Sequence, residues 1–159
     1  MIFFNKKNKV FYLNTEKTSY IIGLLNGELP VHIYWGKKID RIPDDWSKTY
    51  IRRVLSAYDN GEFSSNSLPQ EYPTFGNADN RIPAMQVASG VNGRQVKLKF
   101  LKYEIESGKP ALEGLPATYA EDASEADTLK ITLTDEVQQL EVTLCYTVFN
   151  NIDAITRNT

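Results

Sequence analysis

The stretch Gly108–Tyr119, GKPALEGLPATY, runs on toward Asp127–Phe149, DTLKITLTDEVQQLEVTLCYTVF, and together the two decide the fold. Two prolines (Pro110, Pro116) and two glycines (Gly108, Gly114) within nine positions exclude a long helix or an uninterrupted central strand. Ala111, Leu112, Leu115 and Ala117 in the same stretch predict a loop lying across the end of a sheet. From Asp127 the pattern is strict alternation, with Leu129, Ile131 and Leu133 on one face and Lys130, Thr132 and Thr134 on the other. Asp135-Glu136 turns the chain, and Leu140, Val142, Leu144, Tyr146 and Val148 alternate again. This is a proline-stiffened corner feeding a β-hairpin.

Working outward, Ile2–Leu13 predicts strand, turn and strand around the polar Asn5–Lys9. Thr18–Leu25 and Pro30–Trp35 are parted by Asn26-Gly27, a strong short-range hairpin signal. Trp46, Tyr50, Ile51, Val54, Leu55 and Tyr58 share one helical face, so a short helix is expected over Asp44–Tyr58. Glu62–Asp79 is then a long loop holding Pro69, Pro73 and Gly76, of a length that is often functional or partner-binding. Met85–Val91 and Gln95–Ile105 are the remaining expected strands, with a turn at Val91–Arg94. The expected class is all-β, an antiparallel β-sandwich with at most one short helix near residues 45–58.

At 159 residues the chain suits one domain with its own core. Hydrophobic content of 42% and charged content of 24% place it among globular proteins. A net charge of −2 offers no basic excess to hold a phosphate backbone, so no nucleic-acid partner is expected. The apolar patch before Lys6 and Lys7 is too short for a secretory signal, and no run reaches membrane-spanning length. Cys145 is the lone cysteine, so the chain lacks a disulfide framework. A cytoplasmic, membrane-free protein is the expectation. Ala154–Arg157 begins a strand just before Thr159, which predicts the front piece of a longer polypeptide.

Few residues suggest chemistry. Asp44-Asp45, Glu121-Asp122 with Glu125, and Asp135-Glu136 are carboxylate pairs, but neighbours on a strand point to opposite faces and these read as turns and caps. His32, the only histidine, reads as a polar, partly buried strand residue, and with one cysteine there is no zinc spacing. No nucleophile elbow, phosphate loop or dinucleotide fingerprint occurs. Val96–Phe100 alternates lysine with apolar residues and reads as a solvated strand face. Tyr34, Trp35, Trp46, Tyr50, Tyr58, Phe63, Tyr72 and Phe75 concentrate aromatics in the middle of the chain. Most are expected in the core or at an interface, although aromatic faces beside loop charges also stack on sugar rings.

Longer motifs carry more. GKPALEGLPATYAED, EADTLKITLTD, LEVTLCYTVF and DAITR, with TSYIIGLLNGELPVHIYWGKKI and LPQEYPTFGNADNRIPAMQV upstream, resemble in order the N-terminal domain of glycoside hydrolase family 36, the bacterial α-galactosidases. The resemblance implies that residues 1–159 are part of an N-terminal β-supersandwich, with a catalytic (β/α)8 barrel and a small C-terminal β domain lying outside this sequence. It implies a parent that removes terminal α-linked galactose from melibiose or raffinose with retention, between two barrel aspartates. No residue here matches those aspartates, so no catalytic residue, cofactor or metal is expected and the chain alone should be inert. The family also implies a homotetramer in which a loop of this domain reaches a sister subunit's pocket. Tyr50–Ser56 corresponds to that loop, making Arg52 and Arg53 candidate sugar-binding residues in trans. Where some relatives have an aspartate this chain has Arg52, which only donates hydrogen bonds. Of the Gly-x-x-Asp-aromatic-Arg pattern, Gly76, Asp79 and Arg81 are present and Asn80 replaces the aromatic; Asp79 and Arg81 are further candidates, best read as a bidentate loop clamp. A free-standing carbohydrate-binding sandwich is the alternative. A sister enzyme that transfers galactose would have the same leading domain.

Overall fold

A computed structural model describes residues 1–50, 65–76, 79–88, 93–114 and 117–159. Two four-stranded antiparallel sheets face each other. Sheet one is a meander of β1 (Ile2–Asn5), β2 (Val10–Asn14), β3 (Thr18–Leu25) and β4 (Leu29–Lys37). Sheet two is β5 (Lys99–Ser107), β6 (Ala126–Asp135), β7 (Leu140–Phe149) and β8 (Ile155–Asn158), again in chain order. The β-sandwich expected from the sequence is what forms.

Turn chemistry sets the registers. Asn26 and Gly27 both have positive φ, 52° and 76°, the backbone of a turn whose twist matches that of the strands it joins. Leu25 is therefore placed opposite Leu29 and Gly23 opposite Val31. Between β6 and β7, Asp135 Oδ1 accepts from the amides of Val137 and Gln138 at 2.9 and 3.0 Å, and Gln139 takes φ 51°. That register pairs Leu129 with Tyr146, Ile131 with Leu144 and Leu133 with Val142.

The inner core holds Phe11, Leu13, Ile22 and Leu24 of sheet one against Leu129, Ile131, Leu133, Val142, Leu144 and Val148 of sheet two. Val96 and Leu98 join it just ahead of β5. Sheet one has a second buried face, where Val10, Tyr12, Ile21, Leu25 and Val31 lie under Ile42, Trp46 and Leu68. Strands covered on both faces must be apolar at nearly every position, as β2 (VFYLN) and β3 (TSYIIGLL) are. Sheet two has one such face, and its strands alternate. Trp46 anchors the outer cover: its indole Nε1 donates to the Asn8 carbonyl at 3.0 Å, and its ring fills the notch over Gly23.

Several local expectations change. The helix foreseen over residues 44–58 is a single 3-10 segment at Trp46–Tyr50 where described, with Trp46 N bonded to Pro43 O and Lys48 N to Asp45 O; residues 51–58 lie outside the described residues. Two further 3-10 turns, Ser65–Ser67 and Ala123–Glu125, accompany it. Met85 makes one parallel bridge with Thr74 instead of opening a strand, and residues 89–91 are not described. The strand foreseen from Gln95 begins at Lys99, because the Val96 amide bonds Phe75 O, its carbonyl takes the Thr74 hydroxyl, and the Lys97 amide bonds Asp135. The described part of the loop after β5 does not cover the sheet end: among its described residues only Gly108 is buried, held through Ala126 O and the Thr128 hydroxyl, while Leu112 and Tyr119 are exposed and residues 115 and 116 are not described.

The Gly23 notch gives a direct test. A Cβ there overlaps the buried Trp46 ring and Ile33, so Gly23→Ala is expected to lower urea-measured stability by about 1–3 kcal/mol through overpacking.

Candidate binding end of the sandwich

Residues 68–76 and 79–85 form the segment that carries the charged candidates. It hangs on the free edge of β4, where the His32 amide donates to Pro69 O at 2.8 Å and the Glu71 amide to Pro30 O at 3.0 Å. The strand edge is thereby satisfied by a loop and not by another strand.

Within this segment Asp79 and Arg81 form the bidentate clamp that their spacing suggested. Arg81 Nε reaches Asp79 Oδ1 at 2.9 Å and Nη2 reaches Oδ2 at 2.6 Å. The remaining guanidinium donors are taken by Leu68 O (2.5 Å) and Ser65 O (2.9 Å), and Gln70 Nε2 adds a third bond to the buried carboxylate. The hydrogen bonds of Arg81 hold the Asp79 carboxyl below its ordinary range and raise the guanidinium in turn. A pair so fully engaged organises its own loop. Arg52 and Arg53 lie outside the described residues, so the four candidates are not seen together.

A second cluster went unforeseen. Glu71 has its carboxylate buried between the layers, where Tyr20 of β3 donates at 2.9 Å, Tyr146 of β7 donates at 2.6 Å and Arg157 Nη1 of β8 stands 3.4 Å away. Arg157 also donates to the Glu71 carbonyl, and its guanidinium sits 5.3 Å over the Tyr146 ring. His32 Nδ1 of β4 faces the same carboxylate at 3.6 Å. Burial alone would push the Glu71 carboxyl up, but the donors and the Arg157 charge outweigh it and hold it below the usual range. Burial and the Glu71 charge push both phenols well up. The only clue in the sequence was an acid, Glu71, set between Gln70 and Tyr72 in a loop with a proline on either side.

Beside this cluster a cleft of about 320 Å³ opens between Trp35, Tyr20, Thr18, Asp153, Ile155 and Arg157. Trp35 is 72% exposed, and Asp153 accepts from the hydroxyls of Thr15 and Thr18. The other aromatics divide. Trp46 and Tyr50 pack edge to face, Tyr72 lines the core, Phe75 is half exposed, and Tyr58 and Phe63 are outside the described residues. Each acidic pair has structural work: Asp44 meets Lys7, Asp45 meets Lys48, Asp122 caps Ser124, Glu125 takes the Glu121 amide and Asp135 makes the hairpin turn. Among the described residues no three His, Cys, Asp or Glu groups converge as metal ligands, and no helix is long and apolar enough to cross a membrane.

Comparison with known proteins accounts for this arrangement. Residues 28–159 match the family described as the glycosyl hydrolase family 36 N-terminal domain. The α-galactosidase AgaA of Geobacillus stearothermophilus is 38% identical over 98% of this chain, and Mel36A of Lactobacillus acidophilus 33% over 99%. The crystal structure of α-galactosidase AgaB of Geobacillus stearothermophilus superposes on 99% of the chain with a TM-score of 0.89 at 39% identity. A variant of AgaA solved in complex with raffinose superposes on 94% of the chain with a TM-score of 0.85 at 38% identity. The chain spans about a fifth of these proteins, 22% of AgaA, Mel36A and AgaB and 21% of the raffinose-bound variant. With the family match, the sequence identity and the backbone superposition in agreement, the chain belongs to glycosyl hydrolase family 36 as its N-terminal domain.

Proposed function

We propose that this chain is the non-catalytic leading domain of a cytoplasmic α-galactosidase, one that hydrolyses terminal α-galactosyl residues of oligosaccharides such as raffinose and melibiose with retention. The observation that carries the reading is the match of nearly the whole chain to the first fifth of family 36 α-galactosidases, by sequence and by backbone. In this reading residues 1–159 are the start of the supersandwich, and the bond-breaking aspartates belong to a (β/α)8 barrel outside it. Asp44, Asp79, Asp122 and Asp135 serve ion pairs, a cap and a turn, which supports a structural role for these acids.

The domain's work is then structural. It packs on its own barrel and on sister subunits of a homotetramer, and its loops shape the entrance to a neighbour's active site. Arg52, Arg53, Asp79 and Arg81 are the residues proposed to act there in trans. The clamp supports that role indirectly, by stiffening a loop whose flanks expose Phe75 (52%) and Ile82 (91%) as apolar contact surface. A second reading, a carbohydrate-binding module, draws on exposed Trp35 beside Asp153 and Arg157.

Three experiments test these readings. The purified chain should release no galactose from raffinose or melibiose, and calorimetric titration with galactose or raffinose should give no saturable heat; saturable heat favours the binding module. Arg81→Lys keeps the charge and loses the bidentate fork, so it is expected to cost about 1–2 kcal/mol in urea unfolding of the chain.

A further inference from the structure

Glu71 is the charged group of this fold whose partners come from the most directions. Its side chain is 1% exposed, it sits on a loop, and it is faced by Tyr20 of β3, His32 of β4, Tyr146 of β7 and Arg157 of β8. Two of those strands belong to each sheet. We propose that Glu71 is a latch: gripped from both sheets at once, its carboxylate holds residues 68–76 and 79–85 against the sandwich, and its neutralisation frees that segment while the two sheets stay folded.

The geometry supports local release over global unfolding. The inner core of Phe11, Ile22, Leu129, Ile131, Leu144 and Val148 comes from the two sheets, and the segment adds to it only the partly buried Tyr72 and Met85. The segment's backbone bonds to a strand are those of Pro69 and Glu71 to β4, on either side of Gln70. Farther along, Thr74, Phe75 and Pro73 bond to residues 96 and 84, which belong to irregular chain themselves. Leu68, Tyr72 and Met85 add apolar contact. A neutral residue at 71 takes away the charge that Arg157, itself 39% exposed, pairs with, and leaves the Tyr20 and Tyr146 hydroxyls a weaker acceptor than the buried carboxylate.

The sign follows from the direction of the shift. Because the folded carboxyl is held below its ordinary value, the latch is fully closed above the usual carboxylate range. It opens as pH falls through the folded-state value. The two phenols, pushed up, remain donors throughout this window. Whether the segment meets a neighbouring subunit rests on the function proposed above; its attachment to the sandwich does not.

Hydrogen–deuterium exchange on the whole 159-residue chain reads the latch directly. In Glu71→Gln, peptides covering residues 68–76 and 79–85 are expected to exchange about tenfold faster or more, with β6 and β7 changing by less than about threefold. Wild-type chain taken from pH 7 to well below the ordinary carboxylate range, corrected for intrinsic exchange, should show the same local pattern before β6 and β7 loosen, and this arm decides if the variant fails to fold. Loop and strands loosening together, or a loop whose exchange does not respond, overturns the proposal. Absence of galactosidase activity leaves this result untouched, so the two readings fail separately.

Discussion

Burial of sheet one on both faces is the constraint from which the rest of the domain follows. Its inner face is met by sheet two, but its outer face, with Val10, Tyr12, Ile21 and Val31 all fully or almost fully buried, has no second sheet to cover it. Irregular chain must do that work. Residues 39–50 lay Ile42 and Trp46 over one part, and the loop after residue 65 brings Leu68 over another. Loops that bury apolar area have to satisfy their backbone, so the Ile42 amide donates to the Tyr12 hydroxyl of β2, Arg81 donates to the Leu68 carbonyl, and residues 69 and 71 bond the edge of β4. The charged loop of the candidate site is a by-product of roofing a sheet.

This constraint also explains what was legible beforehand. Sheet two declared itself, since one wet face and one dry face impose a period of two, and Asp135 and Asn26-Gly27 are turn residues for local backbone reasons. Sheet one was legible through its turns, its strands being too uniformly apolar to show a period. Where it is described, the helical spacing after Trp46 gives one 3-10 turn, which sets Trp46 and Tyr50 edge to face; the rest of that expectation lies outside the described residues. The loop of Gly108–Tyr119 misled differently. Its apolar residues suggested a loop lying across the sheet end, whereas among the described residues it is Gly108 that is held there, by Thr128, whose hydroxyl also pairs with Thr147.

The two charged clusters differ for the same reason. Asp79 and Arg81 are two residues apart, so their pairing is a local event that spacing alone suggested. Glu71 meets Tyr20, Tyr146 and Arg157, up to 86 positions away, and no local pattern encodes a meeting set by the crossing of two sheets. Such a carboxylate is tolerable because every partner is supplied by rigid strands, already in place when the loop arrives.

The edge of sheet two carries its own consequence. The register of β5 against β6 slips at Leu101, and Lys99, Lys102, Glu104 and Glu106 are spread along the strand, with ion pairs to Glu28 and Lys130. A kinked, charge-studded border is a poor template for a stranger's backbone. Copies of this chain crowded together during synthesis therefore meet a surface that discourages fibrous stacking, leaving the domain free to find its proper neighbours by side-chain fit.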